Sequence, residues 1–181
     1  MSQEFFKEIK SELHLGVTDN GHPFKYCTMA TVGLDRVARL RTVRLRHISE
    51  DMGLTFFTDK RSKKIIHIKE NKNVSLLFYH PEKLLQIRIE GVAVVVRDKL
   101  LLSNYWQKVQ PDQRKDYTTS LAPGSKLSNP DAVEYLNDEE YFCVLDIRPF
   151  KFEYLKLKRP NHLRVRYSLE TWGWEAEYLV P

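Results

Sequence analysis

The sequence predicts a mainly β fold, an antiparallel barrel or sandwich with helices at its periphery. Three observations carry this. Segments rich in β-branched and aromatic residues fill 26–96 and return between 141 and 178. Short turns such as Asp51-Met52-Gly53 join most of them. No sustained alternation of strand and helix runs through the chain, which argues against a parallel sheet.

The first element is an exception. Residues 3–15 predict a helix, because Phe5, Ile9 and Leu13 recur every four residues and Phe6 widens the apolar face. Ser2 is the expected cap and Gly16 the expected stop. Asp19-Asn20-Gly21-His22-Pro23 is a dense turn signal. Strands are then expected over 26–32, 37–48, 54–58, 74–79 and 84–96. In the last, Leu85, Ile87 and Ile89 alternate with Gln86, Arg88 and Glu90. Beyond Gly91 the run turns wholly apolar, which points to burial on both faces or to a bulge at the glycine. A helix over 62–71 interrupts the sheet.

A second helix is expected over 99–108, and a third starting at Pro130 with Asn129 as its cap. Residues 109–129 are polar and read as a long loop, of the kind that often carries function. Strands return at 141–147, 152–157, 163–167 and 174–178. The 181 residues suit one domain spanning 1–181.

Composition narrows the function classes. A hydrophobic content of 42% is that of a globular chain. No run approaches the roughly 20 apolar residues of a membrane span, and residues 1–10 lack the form of a signal peptide. A cytoplasmic location is the expectation. Cys27 and Cys143 sit in apolar segments and read as buried thiols, and no Cys/His spacing of a metal site is present. Net charge is +5. The basic residues are scattered, so a nucleic-acid partner is not expected.

Three stretches carry possible chemistry. Arg41-Thr42-Val43-Arg44-Leu45-Arg46 places three arginines on one strand, either as a solvated face or as anion ligands. Phe57-Thr58-Asp59-Lys60-Arg61-Ser62-Lys63-Lys64 runs from a strand end into a helix N-terminus. Hydroxyls, ammonium groups and free backbone N–H groups there suit a phosphate. A bland alternative is that Ser62 simply caps the helix. Gln86 is an amide within a strand, able to donate to and accept from the edge of a planar heterocycle, or merely exposed.

In this order, Arg41-x-Val43-x-Leu45, Phe57-Thr58-x-x-x-Ser62-Lys63-Lys64, Leu76-Leu77-Phe78 and Gln86-Ile87-Arg88-Ile89-Glu90-Gly91 resemble the pyridoxamine 5′-phosphate oxidase family. The closing Trp174-Glu175-Ala176-Glu177-Tyr178-Leu179-Val180-Pro181 is similar to that family's end. The resemblance runs from about residue 26 to the last residue. It implies an antiparallel split β-barrel that forms a homodimer, with flavin mononucleotide (FMN) at the subunit interface. It implies that Arg41 and Lys64 contact the flavin phosphate, with Ser62 and Lys63 nearby. Thr42, Val43, Arg46 and Thr58 would line the cofactor. Phe57 stands where the family has tyrosine, Gln86 would reach the ring, and Arg166 would approach it from the C-terminal strand unless the register makes Arg164 the match.

The substrate half departs from the pattern. Arg46 replaces the family's lysine, and Tyr105 matches a substrate-contacting tyrosine. The arginine and serine that follow in the family have no counterpart; Lys108 and Arg114 are the available cations. Leu155 stands in place of a tryptophan. Arg46, Tyr105, His162 and Arg164 are therefore the expected small-molecule pocket. The resemblance implies an FMN-dependent oxidoreductase of unassigned substrate. The alternatives are a true pyridoxamine 5′-phosphate oxidase with a rearranged phosphate clamp, and a non-catalytic flavin-binding protein. Arg88 and Glu90 would be free to pair across a dimer interface.

Overall fold

A computed structural model describes residues 2–137 and 140–181. Helix α1 spans Ser2–Thr18. It takes in Ser2, whose side chain lies outside the described residues. Eight strands follow: β1 (Tyr26–Val32), β2 (Ala38–Ile48), β3 (Leu54–Asp59), β4 (Asn73–His80), β5 (Leu85–Val95), β6 (Phe142–Lys156), β7 (Leu163–Glu170) and β8 (Gly173–Leu179). Helix α2 (Lys63–Glu70) sits between β3 and β4, and α3 (Lys99–Lys108) follows β5.

The strands form one antiparallel sheet in the order β3-β2-β1-β4-β5-β6-β7-β8. Pairing of β3 with β6, from Leu54 opposite Ile147 to Asp59 opposite Phe142, closes the first six into a barrel. Closure decides between the two expected architectures in favour of the barrel. β7 and β8 extend the sheet past the closure.

The alternating pattern reports the inside directly. Met29, Leu45, Leu54, Phe56, Leu76, Phe78, Leu85, Ile87, Ile89, Leu145, Ile147 and Phe152 are almost fully buried. Directly opposed residues of antiparallel strands share a face, so these residues fill one interior. Ile9 and Leu13 of α1 join them. A second, smaller cluster lies on the outer side of β3 and β6. There Val109, Tyr117, Phe142 and Val144 are buried under α3, with Phe57, Tyr105 and Trp106 packed against them.

Several expectations need correction. The segments 141–147 and 152–157 are one 15-residue strand. Pro149 does not break it, because it falls opposite Gly91, where the register with β5 shifts. A bulge tolerates a residue that lacks an N–H. Gly91 is required there: a Cβ would stand 2.8 Å from the carbonyl oxygen of Arg148. Gly16 does not stop α1, which continues to Thr18. Its missing side chain instead lets the backbone of Phe24 approach, since a Cβ would lie 2.6 Å from that carbonyl oxygen. The third helix is a single 3₁₀ turn, Pro130–Ala132, and Asn129 makes no side-chain cap bond. The long loop contains a 3₁₀ segment, Pro111–Tyr117.

A buried polar cluster fastens α1 to the barrel. The Glu12 carboxylate is 4% exposed and accepts from His22 Nε2 at 3.2 Å and from the Lys83 ammonium. His22 Nδ1 accepts from the Phe24 N–H at 3.2 Å, and His80 Nδ1 from the Lys83 N–H at 3.4 Å. In a neutral imidazole this leaves the hydrogen on Nε2. The three buried groups Glu12, His22 and His80 have the donor atoms of a metal site. In the described contacts the Glu12 carboxylate is held by His22 and Lys83, with His80 packed edge-on against His22 at 5.3 Å.

Replacing Glu12 by alanine removes the carboxylate that His22 and Lys83 both bond. We expect Glu12→Ala to lower unfolding stability by about 2–3 kcal/mol, given that Lys83 remains partly hydrated. Urea denaturation of the two proteins checks this; an unchanged midpoint would show that the cluster does not hold the helix.

Candidate functional site

The end of β3 and the start of α2 build a donor-rich pocket. Lys64 Nζ donates to Thr58 Oγ1 at 2.8 Å and to Ser62 Oγ at 3.4 Å, and the two hydroxyls lie 3.3 Å apart. Thr58 and Ser62 are both buried. Ser62 occupies the cap position of α2 yet makes no side-chain cap bond. Its hydroxyl is turned toward Thr58 and Lys64, so capping does not explain it.

Arg41 completes the set. Its opposite number on β1 is Met29, a core residue, so Arg41 points to the barrel side of the sheet. Its Nη1 donates to the Met29 carbonyl at 3.1 Å. Burial lowers the pKa of Lys64, and the positive charge of Arg41 lowers it further. Burial also lowers that of Arg41. Among the described residues, no carboxylate forms an ion pair with Arg41, Lys63 or Lys64. Two desolvated cations that repel each other and two buried hydroxyls present donors without an anion. That is the donor set a phosphate requires.

Arg61, unremarked in the sequence beyond its charge, has a different task. It makes two bonds to the buried carboxylate of Asp59, at 3.1 and 2.7 Å. It also donates to the carbonyls of Thr119 and Ser120 at 2.9 and 3.1 Å, and stacks 3.2 Å from the centroid of Tyr141. It thus ties the β3–α2 turn to the segment after Tyr117. No local pattern marks the contacts to Thr119 and Ser120, because they lie some sixty positions away.

Most of the other expected strand residues lie on the opposite side of the sheet, Val43 excepted. Thr42, opposite Thr28, and Arg44, opposite Tyr26, face outward, while Val43 faces inward opposite the buried Cys27. Gln86, paired with Tyr79 and Leu155, is on that outer face three strands from β2. Arg164 opposes Leu155, and Arg166 opposes Glu153. Both arginines are engaged: Arg164 with Glu153 at 2.8 Å and Arg166 with Glu177 at 2.8 Å. Arg88 and Glu90, expected to await a second chain, are paired within this one. Arg88 bonds Glu153 at 2.7 Å, and Lys151 bonds Glu90 at 3.0 Å.

Arg46 stacks on Phe57 at 5.2 Å. Its pKa is lowered by burial and by Arg44, against the opposing influence of Tyr117. Burial raises the pKa of the Tyr117 phenol in turn. Tyr105 packs edge-on against Phe57 at 5.3 Å. His162 is exposed in the turn before β7 and accepts from the Lys158 N–H at 3.2 Å, apart from the aromatic group. Both cysteines are buried thiols, and burial pushes Cys143 up to about 11.

Comparison with known proteins gives this arrangement a context. A family model described as pyridoxamine 5′-phosphate oxidase, FMN-binding domain, matches residues 3–97. A pyridoxine/pyridoxamine 5′-phosphate oxidase of Psychrobacter cryohalolentis is 33% identical over 147 residues, covering 81% of this chain and 59% of that protein. A putative pyridoxamine 5′-phosphate oxidase of Caenorhabditis elegans is 35% identical over 171 residues, covering 85% and 74%. The chain therefore aligns with less than two thirds of the Psychrobacter relative. A crystal structure of a pyridoxamine 5′-phosphate oxidase-related, FMN-binding protein of Nostoc punctiforme shares the fold, with a TM-score of 0.80, 24% identity and coverage of 97% and 96%. So does PhzG of Burkholderia lata in complex with tetrahydrophenazine-1-carboxylic acid, with a TM-score of 0.79, 21% identity and coverage of 97% and 92%.

Removing the Lys64 charge should weaken FMN binding by roughly 10–100-fold, the worth of one charge-assisted bond. Flavin fluorescence titration of Lys64→Gln measures it. Because its pKa is depressed, Lys64 loses its proton at lower pH than a free lysine. Affinity should therefore fall on the alkaline side, and Lys64→Arg should remove that fall. Arg61→Ala should leave the phosphate donors in place but speed proteolytic cleavage within 118–136, read by limited digestion and mass spectrometry.

Proposed function

This chain belongs to the pyridoxamine 5′-phosphate oxidase family with an FMN-binding domain, and from that premise we propose that it is a flavin-dependent oxidoreductase acting as a homodimer on a small-molecule substrate. FMN is its cofactor, and when bound it supplies the electron-accepting ring. The chain's own residues do the rest. Arg41, Lys64, Thr58 and Ser62, with Lys63 beside them, hold the phosphate at the barrel rim.

The observation that carries the dimer is the division of the site between two faces. Arg41 lies on the barrel side, whereas Gln86, Leu155 and Arg166 lie on the outer side. Strands are spaced by about 4.8 Å, so three strand spacings separate β2 from β5. One flavin held by Arg41 and Lys64 meets Gln86 and Arg166 only if a second copy presents its outer face. The exposed Tyr26, Leu77 and Tyr79 on that face are suited to burial against it.

The substrate pocket is built from Arg46, Tyr105 and the Phe57 ring, and His162 and Arg164, which lie apart from these in one chain, would join it from the second copy. Arg46 is a half-buried guanidinium with an aromatic face beneath it, a setting for a planar anion. Turnover of pyridoxamine 5′-phosphate through a rearranged clamp has less behind it. Arg114 stacks on Trp106 at 5.0 Å and donates to its carbonyl. Lys108 lies over Tyr105 at 5.9 Å but is exposed.

Purified protein should be yellow, carry one FMN per chain and have twice the 21.4 kDa chain mass in solution. Light scattering with flavin absorbance checks this; a monomer that keeps its FMN would sink the shared site. Pyridoxal phosphate formation should be slow or absent, and brisk turnover would restore the oxidase reading.

A further inference from the structure

We infer that the phosphate site continues into a second basic groove that takes the adenylate half of a dinucleotide, so that the protein also binds flavin adenine dinucleotide (FAD). This rests on the reading that FMN's phosphate is held by Arg41 and Lys64.

The groove has a volume of about 420 Å³ and lies between the β1–β2 hairpin and α2. Leu34, Asp35, Arg39, Arg41, Lys63 and His67 line it. Its size is within the range of small-molecule sites, about 300–1,000 Å³. Arg41 is the wall it shares with the phosphate site, and Lys63 adjoins Lys64 in sequence. Lys63 and His67 are four positions apart on α2 and so share one helix face.

The cations are more numerous than the two assigned to the first phosphate, since Arg39 and Lys63 also line the groove. A phosphate monoester carries about −1.5 to −2 at pH 7, which Arg41 and Lys64 already match. Lys63 is left without a carboxylate partner among the described residues. Arg39 is paired with Asp35 at 2.6 Å, and that pair is half in solvent. In a dinucleotide the negative charge is spread over two phosphoryl groups. The first would remain on Arg41 and Lys64, and the second would reach Lys63 and Arg39.

Beyond these cations the groove turns less polar. Leu34 is 67% exposed at the hairpin tip. His67 is a flat ring at the floor, 9% exposed, bonded to Thr31 Oγ1 at 3.0 Å. Burial holds its pKa below the ordinary value, as do Arg41 and Arg39. An uncharged ring and an exposed leucine are suited to an adenine face. Asp35 is the one carboxylate in the groove, and Arg39 occupies it.

The test titrates flavin-free protein with FMN, FAD and adenosine monophosphate, following flavin fluorescence and calorimetric heat. FAD should bind within about tenfold of FMN. Arg39→Glu and Leu34→Asp lie outside the FMN contacts; each should weaken FAD by about tenfold or more while moving FMN less than about twofold. Tight FMN with FAD weaker by more than about a hundredfold would overturn this inference alone. So would equal effects of the variants on both flavins. Binding of the monophosphate without FAD would make the groove a separate nucleotide site and would also overturn it. Failure of both flavins to bind would remove the FMN reading as well.

Discussion

Pairing of β3 with β6 is the constraint on which the rest of the molecule depends. It closes six strands into a barrel and gives every strand an inside and an outside. Because side chains alternate along a strand, closure assigns each residue of the functional stretches to one face. Arg41 and Thr58 go to the barrel side, next to α2. Thr42, Arg44 and Phe57 go to the outer side, with Gln86 and Arg166 three or more strands along. A one-residue slip in β2 would exchange the two sets. The β3–β6 pairing also creates the surface beneath α3, where Phe57 and Phe142 build the aromatic cluster.

Ion pairing divides the basic residues into two groups with different work. Arg61, Arg88, Arg164 and Arg166 each meet a carboxylate; Arg88–Glu153 joins β5 to β6, and Arg61, fixed by Asp59, reaches the carbonyls of Thr119 and Ser120. Asp59 and Glu153 are the buried carboxylates in these pairs, and both are only 4% exposed. Arg41, Lys63, Lys64 and Arg46 have no such partner among the described residues. Burial lowers the pKa of Arg41, Lys64 and Arg46, because each carries its charge partly out of water without a carboxylate beside it. An anion placed among them would offset that cost, and the same burial would strengthen its attraction to the cations.

Local chemistry in the sequence accounts for much of the fold. The alternation of Leu85, Ile87 and Ile89 with Gln86, Arg88 and Glu90 marks β5 and both its faces. The spacing of Phe5, Ile9 and Leu13 marks the buried side of α1. Where expectation failed, a distant partner decided. Pro149 stays within a strand because Gly91 lies opposite it, and Gly16 stays within a helix because Phe24 packs upon it. Arg88 and Glu90 find partners on β6 that no spacing announces.

The sequence by itself determined the chemistry of the donor-rich pocket between β3 and α2. Thr58, Ser62, Lys63 and Lys64 lie within seven positions, so the turn into α2 alone brings them near one another. It also determined the identity of the residues on each side of the strands. Only the tertiary structure decided that Ser62 turns from capping toward Lys64, that Arg61 clamps a loop, and that Gln86 faces away from Arg41. The physical reason is range. A helix turn and a strand pleat are set by neighbours a few residues apart, whereas which face looks toward which partner is set by barrel closure and by ion pairs that join residues far apart in the chain.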